Sequence, residues 1–402
     1  MEVRFGALKA SLFGQAINGV ISFFGIVIWA NFSNQKILAN VFIPLAVMSI
    51  AVDLIDFGGN SWITRESVYA NLKTRDTLAF LFPKLKVIIF ISTSISLGNF
   101  ILTRNIPLSV FLFIYPIFIL SISYFQGLCL RTDKYFDFFF VQFLERVCWF
   151  LPIIFIKLIN NVLTGILISL IFGSAISLTY IIIKVLSILK VEDKISQTQY
   201  NLKDTYRLSF NLGLSSVVSD FYSLDTYLVN QFSNLTEAGG FSLVQKNRNF
   251  AVLGFSLFGA KLRLAVSHSR KSSRKLFQSD WEILALNFIA LIAVLINASR
   301  IIDFLYGSEY LILTSVMQIG ILVFMCSGVC IVLQSYISGM RDDAFLTIFT
   351  GISVIAALLS ISFGASISGA LGASLGLLIS FFIQVIILIM RAVILNYNKI
   401  SR

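Results

Sequence analysis

Residues 190–205 read KVEDKISQTQYNLKDT, and they form the longest polar break in the sequence. Six runs of about 20 apolar residues precede this break and six follow it, and a run of that length crosses a bilayer as one helix. The runs lie near residues 7–30, 38–58, 82–103, 107–128, 138–157, 161–189, 206–230, 239–264, 281–305, 311–338, 344–364 and 369–395. The sequence therefore predicts an all-α polytopic membrane protein of twelve transmembrane helices, with a six-helix lobe over 1–190, a linker over 191–205 and a second six-helix lobe over 206–402.

The composition excludes several classes of function. Hydrophobic residues make up 57% of the chain and charged residues 13%, whereas about a quarter of the residues in a soluble domain are charged. Twelve spans leave too few residues for a soluble domain of ordinary size. The chain has one histidine, His268, and four cysteines without a CxxC pair, which argues against a histidine-based triad and against a zinc site. We predict no catalytic residue, no metal site and no cofactor.

The positions of the charged residues predict the topology. If the N-terminus is cytoplasmic, 24 of the 31 Lys and Arg residues lie in inner loops and tails, four lie in outer loops and three lie within spans. Because basic residues concentrate on the cytoplasmic side, we expect both termini and the linker to be cytoplasmic. The net charge of +11 thus records topology rather than nucleic-acid binding. The basic loop from Lys261 to Lys275 adds a second interpretation, contact with anionic lipid headgroups.

Charged residues within the spans are the first candidates for function. Left facing lipid, the eight of them would cost about 20 kcal/mol, so they must pair or face a wet cavity. They are Asp53, Asp56, Glu145, Arg146, Asp220, Asp225, Lys246 and Arg248. In the eighth span, five consecutive polar residues from Gln245 to Asn249 point around the whole helix. Either this span starts later than its hydropathy indicates, or other helices enclose the turn and it lines a polar chamber.

The remaining span charges have both structural and functional interpretations. Asp220 lies on a polar stripe of the seventh span, where helix–helix hydrogen bonding and ion binding are both consistent with the pattern. Asp225 lies on nearly the opposite face and is a candidate partner for a base of the eighth span. Glu145 and Arg146 are adjacent, which fits an ion pair that joins helices as well as a lining of a cavity. Asp53 and Asp56 lie at the inner end of the second span, where interfacial solvation explains them.

Four motifs resemble the polysaccharide and oligosaccharide-lipid flippases of the multidrug/oligosaccharidyl-lipid/polysaccharide exporter superfamily. They are Asp56-Phe-Gly-Gly-Asn-Ser-Trp-Ile-Thr-Arg65-Glu66, Leu224-Asp225 followed by Glu237-Ala-Gly-Gly-Phe-Ser, Tyr306-Gly-Ser-Glu-Tyr310, and Gly369-Ala-Leu-Gly-Ala-Ser374. Their order and spacing cover nearly the whole chain, although the family usually has Tyr where this chain has Phe241. The resemblance implies two lobes around a central cavity that opens alternately to each side of the bacterial inner membrane. It also implies an undecaprenyl-diphosphate-linked sugar repeat unit as the substrate, with a polysaccharide polymerase as a further partner.

The charged residues can be assigned to the steps of such a transport cycle. An anionic headgroup would bind Arg146, Lys246 and Arg248 through charge-assisted hydrogen bonds, with the amides of Gln245 and Asn249 beside them. Coupling to H⁺ or Na⁺ requires a carboxylate that binds the ion in one state only, and Asp220 is the first candidate. Asp225 and Glu145 are the other candidates for ion coupling.

Two other functions compete with a flippase. A cation-coupled exporter of drug-like cations has the same fold, but it calls for an acidic and aromatic cavity rather than one with three bases. A membrane glycosyltransferase or polymerase calls for large outer loops, whereas the outer loops predicted here have about ten residues or fewer. The sequence therefore favours the flippase.

Overall fold

The computed structural model describes residues 19–59, 74–131, 134–147, 161–191, 221–268, 270–340 and 342–400, together with a few single residues between these ranges. Within these ranges the chain is helical, with no β-strand. The helices are α1 (Gly19–Phe32), α2 (Gln35–Asp56), α3 (Thr74–Thr103), α4 (Ile106–Arg131), α5 (Tyr135–Val147), α6 (Val162–Val191), α7 (Asp225–Phe232), α8 (Leu235–Gln245), α9 (Arg248–Ala251), α10 (Leu253–His268), α11 (Arg270–Ile296), α12 (Ala298–Tyr306), α13 (Thr314–Gly339) and α14 (Asp343–Ile400). Short 3₁₀ segments occupy Phe221–Leu224 and Ser308–Leu313.

These helices confirm the predicted all-α polytopic membrane fold. Among the described residues, six helices are long and apolar enough to cross a membrane, and a bent pair of helices raises this number to seven. Every one of the twelve predicted spans coincides at least in part with a described helix, although the seventh is represented only by α7. Hydropathy and length therefore located the helices along the chain.

The longest helix, α14, contains the two last predicted spans. Its backbone leaves helical geometry at Ser368 and Gly369, where Gly369 has φ of 56°. The two arms then pack closely, because a Cβ atom on Gly364 would overlap the carbonyl oxygen of Gly372. Such small residues let membrane helices approach each other at backbone distance. The predicted break between residues 364 and 369 is thus confirmed.

Two predicted span boundaries were wrong. The helix that carries the third span begins at Thr74, and its membrane-crossing stretch begins at Leu78, four residues before the predicted start at residue 82. The ninth span does not run straight to residue 305, because the chain bends by 81° between α11 and α12. The bend lies at Asn297, whose side-chain amide donates to the carbonyl oxygen of Ala293 at 2.9 Å. The same carbonyl oxygen also accepts the main-chain N–H of Asn297 at 3.1 Å, so the side chain adds a second donor to the last turn before the bend.

The chain forms two compact units. Unit 1 contains the described residues up to Phe32 and from Ile43 to Ser223, and unit 2 contains Ser33–Phe42 together with Leu224–Arg402. In unit 1, α2, α3 and α4 share one apolar core, and α4, α5 and α6 share another. In unit 2, α10, α11 and α13 surround a third core, and α14 packs along α13.

Asp56 is buried in unit 1, so its predicted interfacial solvation was wrong. Its carboxylate lies 3.6 Å from the ammonium group of Lys84, and the same ammonium group donates to the main-chain carbonyl of Asp56. Lys84, near the start of the predicted third span, is 0% exposed within α3. The ring centroid of Phe80 lies 4.9 Å from the ammonium group, and that of Tyr124 lies 5.9 Å from it. Asp56 is therefore part of a buried ion pair beside two aromatic rings, and not the solvated carboxylate that was predicted.

Candidate functional site

The polar run of the predicted eighth span lies where the helix is interrupted. A regular helix would join the N–H of Asn247 to the carbonyl of Leu243, but this N–H donates to the carbonyl of Val244 at 3.2 Å. The side-chain amide of Asn247 donates to the carbonyl of Leu243 instead, at 2.8 Å. A side chain thus takes the place of a main-chain donor, which allows the helix to end at Gln245 and resume at Arg248.

Protein encloses this interruption. The helix α8 begins at Leu235, four residues before the predicted start of the span at residue 239. Gln245 is 9% exposed and Asn247 is 5% exposed, as the enclosed alternative requires. The amide of Asn247 also donates to the hydroxyl of Tyr306 at 3.0 Å, which ties the interruption to α12.

The two bases of the interruption contact different helices. The ammonium group of Lys246 lies 5.7 Å from the ring centroid of Phe42, at the start of α2. The guanidinium group of Arg248 lies 4.7 Å from the ring centroid of Phe381 on α14, and its Nε donates to the hydroxyl of Ser327 on α13 at 3.3 Å. Both side chains are half-buried. The aromatic and hydroxyl partners fix the positions of the two charges within unit 2.

Asp225 supplies a negative charge to the same region. Its carboxylate interacts electrostatically with both Lys246 and Arg248. One carboxylate oxygen also accepts a hydrogen bond from the hydroxyl of Thr226 at 3.0 Å. Two bases and one acid among the described side chains give this cluster an excess of positive charge, and we call Asp225, Lys246 and Arg248 the basic cluster of unit 2.

Glu145 and Arg146 lie near the end of α5 and line a cavity in unit 1. The carboxylate of Glu145 and the guanidinium group of Arg146 are 3.9 Å apart, so they form a loose ion pair. The cavity has a volume of about 260 Å³ and lies between α2, α4 and α5. Arg146 therefore belongs to unit 1, whereas Lys246 and Arg248 belong to unit 2.

Sequence reasoning identified the charges but missed most of their neighbours. Phe42, Ser327 and Phe381 were not predicted, because nothing in a sequence shows which distant residues meet a given base. A signal for the cavity was present in α4, where Tyr115, Ile122 and Gln126 recur at helical spacing and line one face. Asp220 and the side chain of Asn249 lie outside the described residues. In the described part of the chain, no three His, Cys, Asp or Glu side chains could together hold a metal ion.

Three of the motifs that carry the family resemblance lie within unit 2, and two of them are in contact. The carboxylate of Glu237 accepts a hydrogen bond from the main-chain N–H of Ala370 at 2.9 Å, at the start of the second arm of α14. The hydroxyl of Tyr310 donates to the carbonyl of Ser33 at 2.7 Å. Gly239 lies against the backbone of Gln35, where a Cβ atom would overlap. These motifs therefore contain helix caps and close contacts.

Solved structures of the same fold are found among membrane transporters. The lipid II flippase MurJ, in an inward closed conformation, has a TM-score of 0.71 and 15% sequence identity over 95% of this chain and 86% of that chain. An inward-facing multidrug resistance MATE family transporter of the MOP superfamily has a TM-score of 0.66 and 13% identity, over 94% of this chain and 96% of that chain.

A MOP superfamily transporter from Pyrococcus furiosus is also similar, with a TM-score of 0.64 and 13% identity over 97% of this chain and 96% of that chain. Its binding pocket is described as having a reverse polarity that suggests a different function. No protein-family profile matches the sequence, and no curated protein is significantly similar to it. The chain thus has the fold of MOP superfamily transporters, a fold of membrane transport proteins.

Proposed function

We propose that the chain is a flippase that moves an undecaprenyl-diphosphate-linked oligosaccharide, an O-antigen or capsular repeat unit, from the cytoplasmic to the outer leaflet of the bacterial cytoplasmic membrane by alternating access. The observation that carries the proposal is the excess of positive charge in the basic cluster of unit 2. The fold shared with a lipid II flippase and the resemblance of the sequence motifs support it.

The chemistry of the basic cluster suits a diphosphate. Arg248 offers a planar fork of donors that matches phosphate oxygens, and Lys246 adds a mobile point charge. Half-burial lowers the local dielectric constant, so each charge attracts an anion more strongly than it would in water. The lipid tail of such a substrate stays in the bilayer, and surrounding membrane lipids complete the environment. A polysaccharide polymerase that receives the flipped unit remains the expected partner.

An exporter of drug-like cations is the alternative, because MATE family transporters share the fold. A lipophilic cation would meet two bases against one acid in the basic cluster, so its binding there is unfavourable. The alternative therefore requires an acidic site elsewhere in the chain.

Ion coupling completes the proposed cycle. We assign the binding of H⁺ or Na⁺ first to Asp220 and second to Asp225, with Glu145 as the third candidate. Asp225 already interacts with two bases, which reduces its attraction for a further cation. This leaves Asp220 as the preferred carboxylate.

The proposal is tested in a strain that lacks the gene, by measuring lipid-linked saccharides that accumulate in the inner leaflet. Reintroduced wild-type protein should clear them, Arg248→Ala should not, and Arg248→Lys should do so partially because the charge survives without the fork. Arg300→Ala, which removes an exposed arginine from α12, is the matched control and should behave as wild type. Full clearance by Arg248→Ala at normal protein levels would contradict the proposal, as would export of a lipophilic cation that depends on the protein.

A further inference from the structure

The cavity of unit 1 differs from the basic cluster in its chemistry. It is lined by apolar side chains of α2 and α4 and by six polar or aromatic ones. The latter are Ser49, Tyr115, Ser123, Gln126, Glu145 and Arg146. Three helices of the same unit supply these groups, so the cavity needs no residue of unit 2.

The polar lining both donates and accepts hydrogen bonds. The carboxylate of Glu145 accepts and the guanidinium group of Arg146 donates, while the amide of Gln126 and the hydroxyls of Ser49 and Ser123 do both. A ligand that satisfies this set must itself carry several groups that donate and accept. Sugar hydroxyls have this property, whereas phosphate oxygens at neutral pH mostly accept.

Among the described residues that line the cavity, one acid and one base cancel each other's charge. Because the carboxylate of Glu145 lies 3.9 Å from the guanidinium group of Arg146, a phosphate bound by Arg146 would also be repelled by Glu145. A cation bound by Glu145 would be repelled by Arg146 for the same reason. The cavity therefore favours an uncharged ligand, in contrast to the basic cluster of unit 2 with its two bases and one acid.

The size and walls of the cavity further restrict which ligands can bind in it. Its volume of about 260 Å³ lies just below the range of about 300–1,000 Å³ that holds drug-sized ligands, so it suits one ring rather than an entire oligosaccharide. The ring of Tyr115 stacks on Phe111 at a centroid distance of 4.7 Å, which holds one wall in place. An aromatic wall beside polar groups fits a sugar, which has apolar C–H faces and polar edges.

We propose that this cavity binds one uncharged sugar ring of the lipid-linked headgroup, with Glu145 and Arg146 as its hydrogen-bonding acceptor and donor. The inference rests on the proposed flippase function and revises two of its details. Arg146 recognises sugar hydroxyls rather than the diphosphate, and Glu145 contributes to specificity rather than to ion coupling. Lys246 and Arg248 bind the diphosphate.

Two probes separate these roles, the bare carrier undecaprenyl diphosphate and the lipid-linked saccharide extracted from the deletion strain. Dissociation constants for both are measured with full-length protein in nanodiscs. The wild type should bind the saccharide carrier about tenfold more tightly than the bare carrier, the worth of one or two hydrogen bonds. Arg146→Gln and the cavity-filling Ser123→Leu should abolish that difference and leave the affinity for the bare carrier within about twofold. Ser121→Leu, on the same helix but outside the cavity, is the matched control and should retain the difference.

Each alternative gives a different result. If Arg146→Gln weakens both probes equally, the cavity holds an anion and the inference is overturned. Retention of the sugar preference in both cavity variants overturns it as well, and Arg146→Gln decides the matter if Ser123→Leu does not fold. If Lys246→Ala weakens the binding of both probes while the cavity variants change neither affinity, the proposed flippase function is retained and the sugar site is refuted. A deletion strain that accumulates no lipid-linked saccharide, or a wild type that binds neither probe, refutes the proposed function itself.

Discussion

The buried ion pair between Lys84 and Asp56 predicts a large and specific loss of stability when one partner is removed. Asp56→Asn leaves the ammonium group of Lys84, which is 0% exposed, without its counter-charge. Removing one partner from a buried pair costs about 3–5 kcal/mol, because the remaining charge stays out of water. Lys84 retains the contacts with the rings of Phe80 and Tyr124, and each such contact is worth about 0.5–2 kcal/mol. We therefore expect the lower end of the range, about 3 kcal/mol, for Asp56→Asn.

A double-mutant cycle measures the pair itself. Lys84→Met should also cost about 3 kcal/mol, because it leaves the carboxylate of Asp56 buried without its cation. The double variant has no buried charge at this site, so its loss should stay below about 1.5 kcal/mol. The free energy of unfolding is measured by denaturant titration in detergent micelles. The expected result is a coupling energy above about 2 kcal/mol.

The ion pair between Arg391 and Asp342 is a matched control, since its nitrogen and oxygen atoms are 2.6 Å apart but both side chains are partly exposed. Asp342→Asn should cost about 1 kcal/mol or less, despite the shorter distance, because water solvates the remaining charge. Additive losses in the Lys84 and Asp56 cycle, or equal losses at the two pairs, would refute the argument that burial sets the magnitude.

Three further substitutions test other features. Gly364→Ala should destabilise the protein by more than about 2 kcal/mol in the same unfolding assay, because the new Cβ atom overlaps the opposite arm of α14. The control is Gly351→Ala, whose Cβ atom would meet nothing within 4 Å. It should change the free energy of unfolding by less than about 1 kcal/mol. Glu237→Ala should cost about 1 kcal/mol, since it removes the carboxylate that caps the N–H of Ala370; an unchanged unfolding midpoint would show that the cap is dispensable. Asp220→Asn should abolish the dependence of transport in vesicles on an imposed ion gradient while folding is preserved, and persistence of that dependence in Asp220→Asn but not in Asp225→Asn would transfer the role to Asp225.

The positions of the helices could be predicted because hydropathy is a property of each segment alone. A run of about 20 apolar residues forms a membrane helix wherever it lies, since its main-chain groups must bond within the segment. The break near Gly369 could also be predicted, because the apolar runs 344–364 and 369–395 are separated there. In each of these cases the structural feature is determined by residues within about 20 positions of it.

The pairing of charges could not be predicted because it depends on packing between distant segments. Asp56 and Lys84 are 28 residues apart, and only the packing of α2 against α3 brings them together. The same limit applies to Arg248, whose neighbours Ser327 and Phe381 lie on two other helices. The interruption at Asn247 could be predicted in part. The polar run indicated an unusual turn, but it did not show that the helix breaks there.

The residues that carry the family resemblance differ from the charged residues of the candidate site. The first set relates to the fold and the second to the ligand. Glu237, Tyr310 and Gly369 belong to resembling motifs, and in the structure they cap a helix, fix a carbonyl and turn the chain. Such residues specify a fold that flippases and drug transporters share, so they carry no information about the charge of the cargo. In the proposed flippase that information resides in Lys246 and Arg248, because the number and sign of these half-buried charges determine which ligand can replace water. A variant that inverts the sign of this cluster should therefore change the cargo before it changes the fold.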